Sequence, residues 1–277
     1  MPELPEVETI ARHLRLGHQG APALPGQSIA EVSVRWPRHI AEPSPGVFRR
    51  RIRGQTIQTV LRRGKYLVLP LSDTCLLIHL KMSGDLGLAR AGSEPGRFDR
   101  TVLHLQSGWE LRFSDSRKFG RLFLVADPSS RLGRLGPDPL DDAFTSEILH
   151  ARLLARRRRL KPLLLDQGFV AGLGNIYTDE ALHVARLHPL LPSHLLGTED
   201  AHRLWAGIRE TLNEGLRRNG ASIDWVYRGG EYQNHFRVYQ QTGKPCPVCG
   251  TPIQRIPVAQ RSSHYCPRCQ PEPRGVG

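Results

Sequence analysis

The first residues of the chain place a potential nucleophile beside a carboxylate. If Met1 is excised, as a small second residue generally permits, the nitrogen of Pro2 becomes the α-amino group and Glu3 follows it directly. An α-amino group titrates near ~8, so a usable fraction is unprotonated at neutral pH. A neutral amine can attack an electrophilic carbon and leave a Schiff base, which is covalent catalysis. The alternative is structural, because Met-Pro followed by acidic residues is also a stiff start to a helix.

Four of the five cysteines form two close pairs. Each pair has the spacing C-x2-C, and sixteen residues separate the first pair from the second. Four thiolates at this spacing suit tetrahedral zinc, and a site with no open coordination position is structural and not catalytic. The alternative is a pair of redox dithiols. We expect one structural Zn2+ at Cys246, Cys249, Cys266 and Cys269. Zinc binding would stabilise the fold of this hairpin, which is too small to form a hydrophobic core. Arg261 lies at the tip of this hairpin, where it either reaches a phosphate or scissile site or is only solvated.

A glycine-punctuated turn precedes a predicted helix at Gly168 to Ile176. Glycines let backbone amides approach an anion, and a helix N-terminus favours negative charge there. The segment lacks the lysine of a P-loop and follows no strand, which disfavours nucleotide binding. We therefore expect a helix, two tight turns and a second helix that grips a DNA phosphate, with Asn175 at the start of the second helix.

Two further segments, His79 to Gly84 and Ser114 to Gly120, put an apolar side chain and cations on loops that leave strands. Taken alone, Met82 and Phe119 fit core positions better. In a DNA-binding protein, an apolar wedge beside arginine suits the gap left when a nucleotide is unstacked. The run Arg156 to Arg159 would advance about 100° per residue on a helix, so we expect most of it to form a solvated, DNA-attracting face.

The charge balance indicates a polyanionic partner. Of 277 residues, 39 are Lys or Arg and 26 are Asp or Glu, which gives a formal net charge of +13 and an isoelectric point near 10.2. Nucleic acid and an anionic membrane both fit this charge. No apolar run approaches the ~18 to 20 residues that a membrane span needs, and the N-terminus is acidic where a signal peptide would be basic. We therefore expect an intracellular protein that binds nucleic acid and no membrane.

The elements that must position these residues change character along the chain. Apolar residues recur at helical spacing from about residue 5 to 16, which predicts a helix. From Gln27 to about Val125, short apolar or alternating runs separated by Gly, Pro, Ser and Asp predict a β-sandwich or barrel. The predicted strands are Ile29 to Val34, Ile57 to Val60, Tyr66 to Leu71, Leu76 to Leu80, Thr101 to Leu105, Leu111 to Phe113 and Leu122 to Val125.

Beyond a loop rich in Gly, Pro and Asp, from Asp127 to Asp142, the periodicity becomes helical. The predicted helices are Thr145 to Leu154, Lys161 to Gln167, Asn175 to Ala185 and Thr198 to Arg218. The predicted fold class is therefore α+β. We place an N-terminal catalytic domain, a helix plus a β-sandwich, at residues 1–130, a helical DNA-binding domain with the helix-two-turn-helix at 131–240, and the zinc finger at 241–277.

Taken together and in order, these segments resemble the bacterial formamidopyrimidine-DNA glycosylases over nearly the full length. The resemblance rests on the opening Pro2 to Thr9, on Arg63-Gly64-Lys65-Tyr66, on His79 to Gly84, Asp115 to Gly120 and Gly172 to Tyr177, and on the four-cysteine finger. It implies a bifunctional base-excision repair enzyme, a DNA glycosylase with AP lyase activity. Its partner would be double-stranded DNA that carries an abasic site or an oxidised purine, such as 8-oxoguanine or a formamidopyrimidine. It also implies a monomer in the bacterial cytoplasm, associated with the nucleoid through DNA binding.

The resemblance implies roles for individual residues. Pro2 would attack C1′ of the deoxyribose and form the Schiff base, with Glu3 as the acid/base catalyst. Lys65 is similar to the family lysine assigned to β-elimination and phosphate contact, and Arg261 to the finger arginine assigned to δ-elimination. The remaining matches are phosphate contacts at His79 and Asn175, and a void-filling trio of Met82, Arg117 and Phe119, in which Arg117 faces the orphaned cytosine.

The sequence departs from the family pattern in places. Phe98 stands where many relatives have a histidine that contacts DNA, and Arg156 stands where a family lysine binds DNA. The stretch Ser222 to Tyr232, which corresponds to the loop over the flipped base, is a few residues short. Two rival functions stay open: an endonuclease VIII-like enzyme that prefers oxidised pyrimidines, and a catalytically silent DNA-binding protein that senses damage. The Leu4-Pro5 opening and the void-filling trio favour the purine branch, whereas a retained Met1 would favour the silent protein.

Overall fold

The computed structural model of the protein describes residues 1–223 and 229–272. The chain divides into two compact units. Unit 1 is Met1–Gly133 with Asn219–Gly230, and unit 2 is Arg134–Arg218 with Glu231–Gly277. A short segment that follows the last long helix therefore belongs to the N-terminal unit.

Unit 1 begins with helix α1, Leu4–Leu16, which starts one residue before the predicted helix and ends where predicted. Its apolar face, from Val7 to Leu14, is buried in the hydrophobic core of the unit. Pro5 lies in the first turn, where its missing N–H costs no helical hydrogen bond. Because this packing fixes the helix, it also fixes the residues that precede it, Pro2 and Glu3.

Two β-sheets pack around the same core, so the predicted β-sandwich with an N-terminal helix is confirmed. Fully buried side chains from both sheets, such as Leu76 and Leu103, share one cluster with the helices. The elements are β1 Ile29–Val34, β2 Ile40–Glu42, α2 Pro45–Ile52, β3 Leu61–Arg63, β4 Tyr66–Pro70, β5 Cys75–His79, β6 Gly84–Arg90, β7 Asp99–Leu105, β8 Trp109–Asp115, β9 Arg121–Val125 and α3 Ser129–Leu132. The sheet orders are β1-β7-β8-β6 and β2-β9-β5-β4-β3. The strand pairs are antiparallel except β2 with β9, which is parallel.

The structure differs from the prediction in parts of unit 1. The predicted strand Ile57 to Val60 is not a strand, because Ile57 forms only an isolated bridge with Leu71 and β3 begins after it. The sequence pattern does not predict β2, α2, β3, β6 or α3, and α3 lies within the predicted loop from Asp127 to Asp142. In β6, Gly84 and Gly87 have low strand propensity, and pairing with β8 along its whole length stabilises the strand instead.

Two loops at one end of unit 1 pass between the sheets. The β5–β6 loop, residues 80–83, leads from the five-stranded sheet to the four-stranded sheet, and the β8–β9 loop, residues 116–120, leads back. The strand ends are paired, since His79 lies opposite Arg121 and Gly84 lies opposite Asp115. These two segments, called the crossing loops below, therefore lie side by side.

Unit 2 is helical and ends in a two-stranded hairpin, so the α+β class is confirmed. Its elements are α4 Ser146–Leu154, α5 Leu160–Leu164, α6 Asn175–Ala185, α7 Thr198–Arg217, β10 Gln254–Val258 and β11 Arg261–Tyr265. α6 has the predicted bounds, whereas α5 ends at Leu164 instead of Gln167. The buried ring of Tyr177 in α6 stacks on Tyr232 with 5.2 Å between centroids. In the described part of the chain, no helix is both long enough and apolar enough to cross a bilayer.

Candidate active site and zinc centre

A buried carboxylate holds the N-terminus in place. Pro2 and Glu3 are both buried, and Glu3 lies directly before the first turn of α1. The backbone N–H of Glu3 donates to Oε2 of Glu6 at 2.7 Å, and Glu6 is itself buried. Glu6 thus fixes the backbone of the residue that follows the Pro2 nitrogen.

The second oxygen of Glu6 binds the short segment that returns to unit 1. Oε1 accepts the N–H of Ala221 at 2.7 Å. Gly220 has φ +80°, and a Cβ there would lie 2.6 Å from the same oxygen, so glycine is required. Sequence reasoning missed this role of Glu6, although the Glu3-x-x-Glu6 spacing of a capping box is a signal for it. The predicted loop over the flipped base begins after this anchor, and its residues 224–228 lie outside the described residues.

Lys65 and His79 lie at the same end of two paired strands. Lys65 is buried in the turn between β3 and β4, next to Tyr66, which lies opposite His79. Burial, followed by the charges of Lys81 and Lys65, lowers the pKa of His79 to about 3, so this imidazole is neutral at pH 7. Its Nδ1 accepts the N–H of Lys81 at 3.0 Å, which leaves the ring proton on Nε2.

The crossing loops place Arg117 and Phe119 close to the residue that follows Met82. The backbone N–H of Arg117 donates to Oγ of Ser83, the residue after Met82, at 3.0 Å. The Arg117 guanidinium lies over the Phe119 ring, 5.3 Å from its centroid. Phe119 is 48% exposed, so the interpretation of this ring as a core residue is wrong. Met82 is half-buried.

Phe98 lies on the surface, near the base of the β8–β9 loop. The guanidinium groups of Arg97 and Arg100 lie 5.4 Å and 5.7 Å from its ring centroid. Arg100 also donates from Nε to the backbone carbonyl of Asp115 at 3.1 Å. An aromatic ring flanked by two cations therefore occupies this position.

In unit 2, Asn175 contacts the strand that begins with Arg261. Asn175 is the first residue of α6, and its Nδ2 donates to the backbone carbonyl of Ser262 at 3.1 Å. Arg261 is exposed and follows the tight turn Ala259 and Gln260, both of which have positive φ. The structure thus brings these two predicted site residues to adjacent elements of one unit.

A buried ion pair holds the same strand. Lys161 and Asp179 are 0% and 1% exposed. The Nζ of Lys161 lies 2.5 Å from Oδ1 of Asp179 and 2.7 Å from the carbonyl oxygen of Ser262. Asp179 also accepts the hydroxyl of Ser263 at 3.0 Å and the N–H of His264 at 2.9 Å. Sequence reasoning missed this pair, because 18 residues separate Lys161 from Asp179 and 101 separate it from Ser262.

We expect Lys161→Met to lower the free energy of unfolding by about 3–5 kcal/mol, because it leaves the Asp179 carboxylate buried without its cation. Denaturant titration of the purified protein measures this loss. Arg158→Met, which breaks the exposed Arg158–Asp166 pair, is the matched control and should cost less than about 1 kcal/mol. The double variant Lys161→Met/Asp179→Asn should recover part of the loss. Equal effects of the two single variants would contradict a buried-charge origin.

The run Arg156 to Arg159 is not helical, which corrects the expectation for this segment. α4 ends at Leu154, and the carbonyl of Arg156 accepts the Ser193 hydroxyl at 2.6 Å. The Ser193 N–H donates to the carbonyl of Arg158 at 2.8 Å. This pairing of the backbone with a distant segment overrides the helix propensity of arginine. The side chain of Arg156 is exposed and donates from Nη1 to the Ala155 carbonyl.

The four cysteines of the finger form one cluster, with their sulfur atoms all within 4.8 Å of one another. The Sγ atoms of Cys246 and Cys269 are 3.9 Å apart, and those of Cys249 and Cys266 are 3.4 Å apart. Tetrahedral ligands with Zn–S bonds of ~2.3 Å lie ~3.8 Å apart, so the residues fit one zinc ion. Within residues 1–223 and 229–272, no other His, Cys, Asp and Glu side chains form such a group.

The surroundings distinguish these cysteines from Cys75. Nε2 of His183 lies 3.3 Å from Sγ of Cys246, so its N–H can donate to a metal-bound sulfur. Burial raises the pKa of the Cys75 thiol to about 11. Cys75 therefore stays protonated within the core of unit 1, where it packs against Leu77 and Val125.

Three family models match successive parts of the chain. The formamidopyrimidine-DNA glycosylase N-terminal domain matches residues 1–122, and the formamidopyrimidine-DNA glycosylase H2TH domain matches residues 135–226. The zinc finger found in FPG and IleRS matches residues 243–271, which contain all four clustered cysteines. The predicted structural zinc finger is therefore confirmed.

Individual relatives match over nearly the whole chain. The formamidopyrimidine-DNA glycosylase of Desulforamulus reducens is 45% identical over 282 residues, which cover 98% of this chain and 99% of the relative. Lactococcus lactis Fpg in complex with DNA containing N7-benzyl-Fapy-dG has a TM-score of 0.90 at 34% identity, and its complex with abasic-site DNA has 0.88 at 34%. Both structural matches cover 98% of this chain and 100% of the other. The chain therefore belongs to the formamidopyrimidine-DNA glycosylase family.

Proposed function

We propose that this protein is a DNA glycosylase of base-excision repair with AP lyase activity, acting on duplex DNA that carries an oxidised purine or an abasic site. The observation that carries the proposal is the buried Pro2–Glu3 terminus, fixed by Glu6, in a chain of this family. The Lactococcus lactis relative in complex with DNA containing N7-benzyl-Fapy-dG and with abasic-site DNA supports the substrate class.

Pro2 acts as the nucleophile once Met1 is removed. Its secondary amine attacks C1′ of the deoxyribose, the bond from C1′ to the base breaks with its electron pair leaving on the base, and the proton of the amine passes to the departing base. Glu3 donates a proton to the sugar ring oxygen, so that the ring opens to an iminium on Pro2. Because Glu6 fixes the Glu3 N–H, the amine and the carboxyl group keep one relative orientation.

The iminium makes the C2′ protons acidic, so the 3′ phosphate leaves by β-elimination and the 5′ phosphate by δ-elimination. Lys65 assists the first step and contacts phosphate. Arg261, exposed on the hairpin, clamps the phosphate of the second step, since arginine stays charged and is a poor proton donor. His79 binds phosphate through its neutral Nε2–H, and Asn175 through the N-terminus of α6.

Met82, Arg117 and Phe119 fill the gap that the flipped nucleotide leaves. Flipping costs a few kcal/mol of unstacking energy, which apolar insertion offsets. The exposed Phe119 ring with the Arg117 guanidinium over it suits this role, and Arg117 offers donors to the orphaned cytosine. Arg156 adds an exposed cation that attracts the backbone.

The zinc finger and the net positive charge both contribute to DNA binding. When bound, zinc supplies the fold of the hairpin and no step of the reaction. The formal charge of +13 draws the protein to DNA from a distance. The protein acts as a monomer on duplex DNA, in the cytoplasm and associated with the nucleoid.

Lesion competition tests this function. We expect single-turnover excision of 8-oxoguanine opposite cytosine to be about tenfold or more faster than excision of 5,6-dihydrothymine, a difference of about 1.4 kcal/mol or more in the barrier. A preformed abasic site should be nicked, and an undamaged duplex should stay intact. Faster excision of the pyrimidine would identify an endonuclease VIII-like enzyme. Tight binding of the abasic duplex without nicking would identify a silent damage-binding protein.

A further inference from the structure

Asp115 is buried at the base of both crossing loops and is 0% exposed. Four donors converge on its carboxylate. Oδ1 accepts the Ser83 hydroxyl and the N–H of Arg117 at 3.2 Å. Oδ2 accepts the N–H of Gly120 at 2.7 Å and Nε2–H of His39 at 3.2 Å. An ionised carboxylate offers about four lone-pair sites, so its acceptor capacity is filled.

These hydrogen bonds connect the two loops to each other. Ser83 belongs to the loop that carries Met82, whereas Arg117 and Gly120 flank Phe119 in the other loop. The Ser83 hydroxyl donates to Asp115 and also accepts the Arg117 N–H at 3.0 Å. One carboxylate and one hydroxyl therefore link the two loops that carry the three void-filling side chains.

A buried ring supports the loops from below. Phe113 is fully buried, and a Cβ at Gly84 or at Gly120 would lie 2.6 Å or 2.3 Å from its ring atoms. The His39 ring stacks on Phe113 with 4.7 Å between centroids. Nδ1 of His39 lies 3.4 Å from the Thr101 hydroxyl, which leaves Nε2–H to donate to Asp115. Both loop ends therefore rest on one rigid surface.

Asp115 keeps its charge in this site. Burial alone would raise its pKa, but the hydrogen bonds from His39, Ser83 and the Gly120 N–H outweigh burial and lower the pKa to about 2. Each of the donors thus forms a charge-assisted hydrogen bond, which is about twice as strong as a neutral one. The loop connection persists across the neutral pH range.

We propose that Asp115 is a positioning residue that, through Ser83 and the backbone of the β8–β9 loop, sets Met82, Arg117 and Phe119 as one rigid unit for insertion into DNA. The inference rests on the proposed function, which assigns these three side chains to the gap left by the flipped nucleotide. If the loops moved independently, ordering them would cost conformational entropy at each insertion. Asp115 touches no reacting atom, so its loss affects base extrusion and opposite-base reading and not the chemistry at C1′.

Ser83→Ala tests the connection, because it removes the hydroxyl that both loops share. We expect single-turnover excision of 8-oxoguanine to slow about tenfold and the preference for cytosine over adenine opposite the lesion to fall about threefold, through the added ordering cost. Nicking of a preformed abasic site should stay within about twofold of the unsubstituted protein, since no base has to be unstacked. Ser33→Ala is the matched control: it removes a 2.8 Å serine–histidine hydrogen bond to His104 in the same unit and should change none of these rates.

Hydrogen exchange gives a readout that needs no substrate. The Arg117 amide should exchange faster in Ser83→Ala than in Ser33→Ala, because it loses one of its two acceptors. Asp115→Asn should have a larger effect than Ser83→Ala on both 8-oxoguanine excision and Arg117 amide exchange. If Asp115→Asn does not fold, Ser83→Ala alone still tests the loop connection. Three results with Ser83→Ala would overturn the proposal. They are equal slowing of excision and of abasic-site nicking, an unchanged preference for the base opposite the lesion, and an unchanged exchange rate of the Arg117 amide. Absence of 8-oxoguanine excision by the unsubstituted protein would contradict the proposed function instead, and amide exchange would still test the loop connection.

Discussion

A chain with a short tag fused ahead of Pro2 is expected to form no covalent complex when borohydride is added to a reaction with an 8-oxoguanine duplex. The tag converts the Pro2 nitrogen into an amide, whose lone pair is delocalised and cannot attack C1′. Excision should slow on the order of 10⁴-fold or more, the size of loss seen when a nucleophile is removed from a catalytic unit. Gel analysis of the reduced complex and single-turnover rates measure both effects.

The same tag at the C-terminus is the matched control and should leave trapping intact. The N-terminal tag enters a buried site next to the Glu3–Glu6 contact, so affinity for an undamaged duplex must be shown to be retained. Pro2→Gly gives an independent test, because glycine replaces the rigid secondary amine with a flexible primary one, and the adduct should be lost or strongly diminished. An undiminished adduct in either variant would rule out Pro2 as the nucleophile.

The features that the sequence predicts well depend on local spacing. The zinc site follows from two C-x2-C pairs, and the bounds of α6 follow from its apolar periodicity after a glycine-rich turn. Each of these sequence patterns lies within a few residues of the feature that it predicts. The β-sandwich could be predicted in the same way, because alternation within each strand shows which face is buried.

The contacts that position the site could not be predicted, because they join residues far apart in the chain. His39 meets Asp115 across 76 residues, and Glu6 meets Ala221 across 215. The conformation of residues 156–159 could not be predicted for the same reason, because pairing with Ser193 determines it and local helix propensity does not. A single sequence identifies the chemical groups but does not show which distant backbone each group holds.

One side of α6 contacts the finger and the segment that leads into it. Asn175 contacts Ser262, and Asp179 contacts the next two residues of β11. Glu180 is fully buried and accepts three successive backbone N–H groups, those of Arg237, Val238 and Tyr239. His183 lies against a zinc-ligand cysteine. The helix that begins at the predicted phosphate contact therefore also positions the hairpin that carries Arg261.

This arrangement predicts that Cys266→Ser releases zinc and weakens DNA binding together. Cys266 is fully buried in the cluster, and the apparent binding energy of structural zinc in finger peptides is about 10 to 16 kcal/mol, enough to decide whether so small a hairpin folds. If the hairpin does not fold, the contact between Ser262 and Lys161 is lost. Arg261 is then no longer held in position by the hairpin. We expect zinc content to fall from one ion per chain to near zero. The Kd for an abasic-analogue duplex should rise about 100-fold or more, which is about 2.7 kcal/mol.

Cys75→Ala is the matched control, because Cys75 lies in unit 1 and should leave one zinc ion per chain and an unchanged Kd. Metal analysis and a DNA-binding titration at fixed salt measure both quantities for each variant. A zinc-free Cys266→Ser chain that kept full DNA affinity would contradict the prediction. In that case the contacts of Lys161, Asn175 and Asp179 with β11 would have to hold the hairpin, so adding Lys161→Met to Cys266→Ser would then abolish binding.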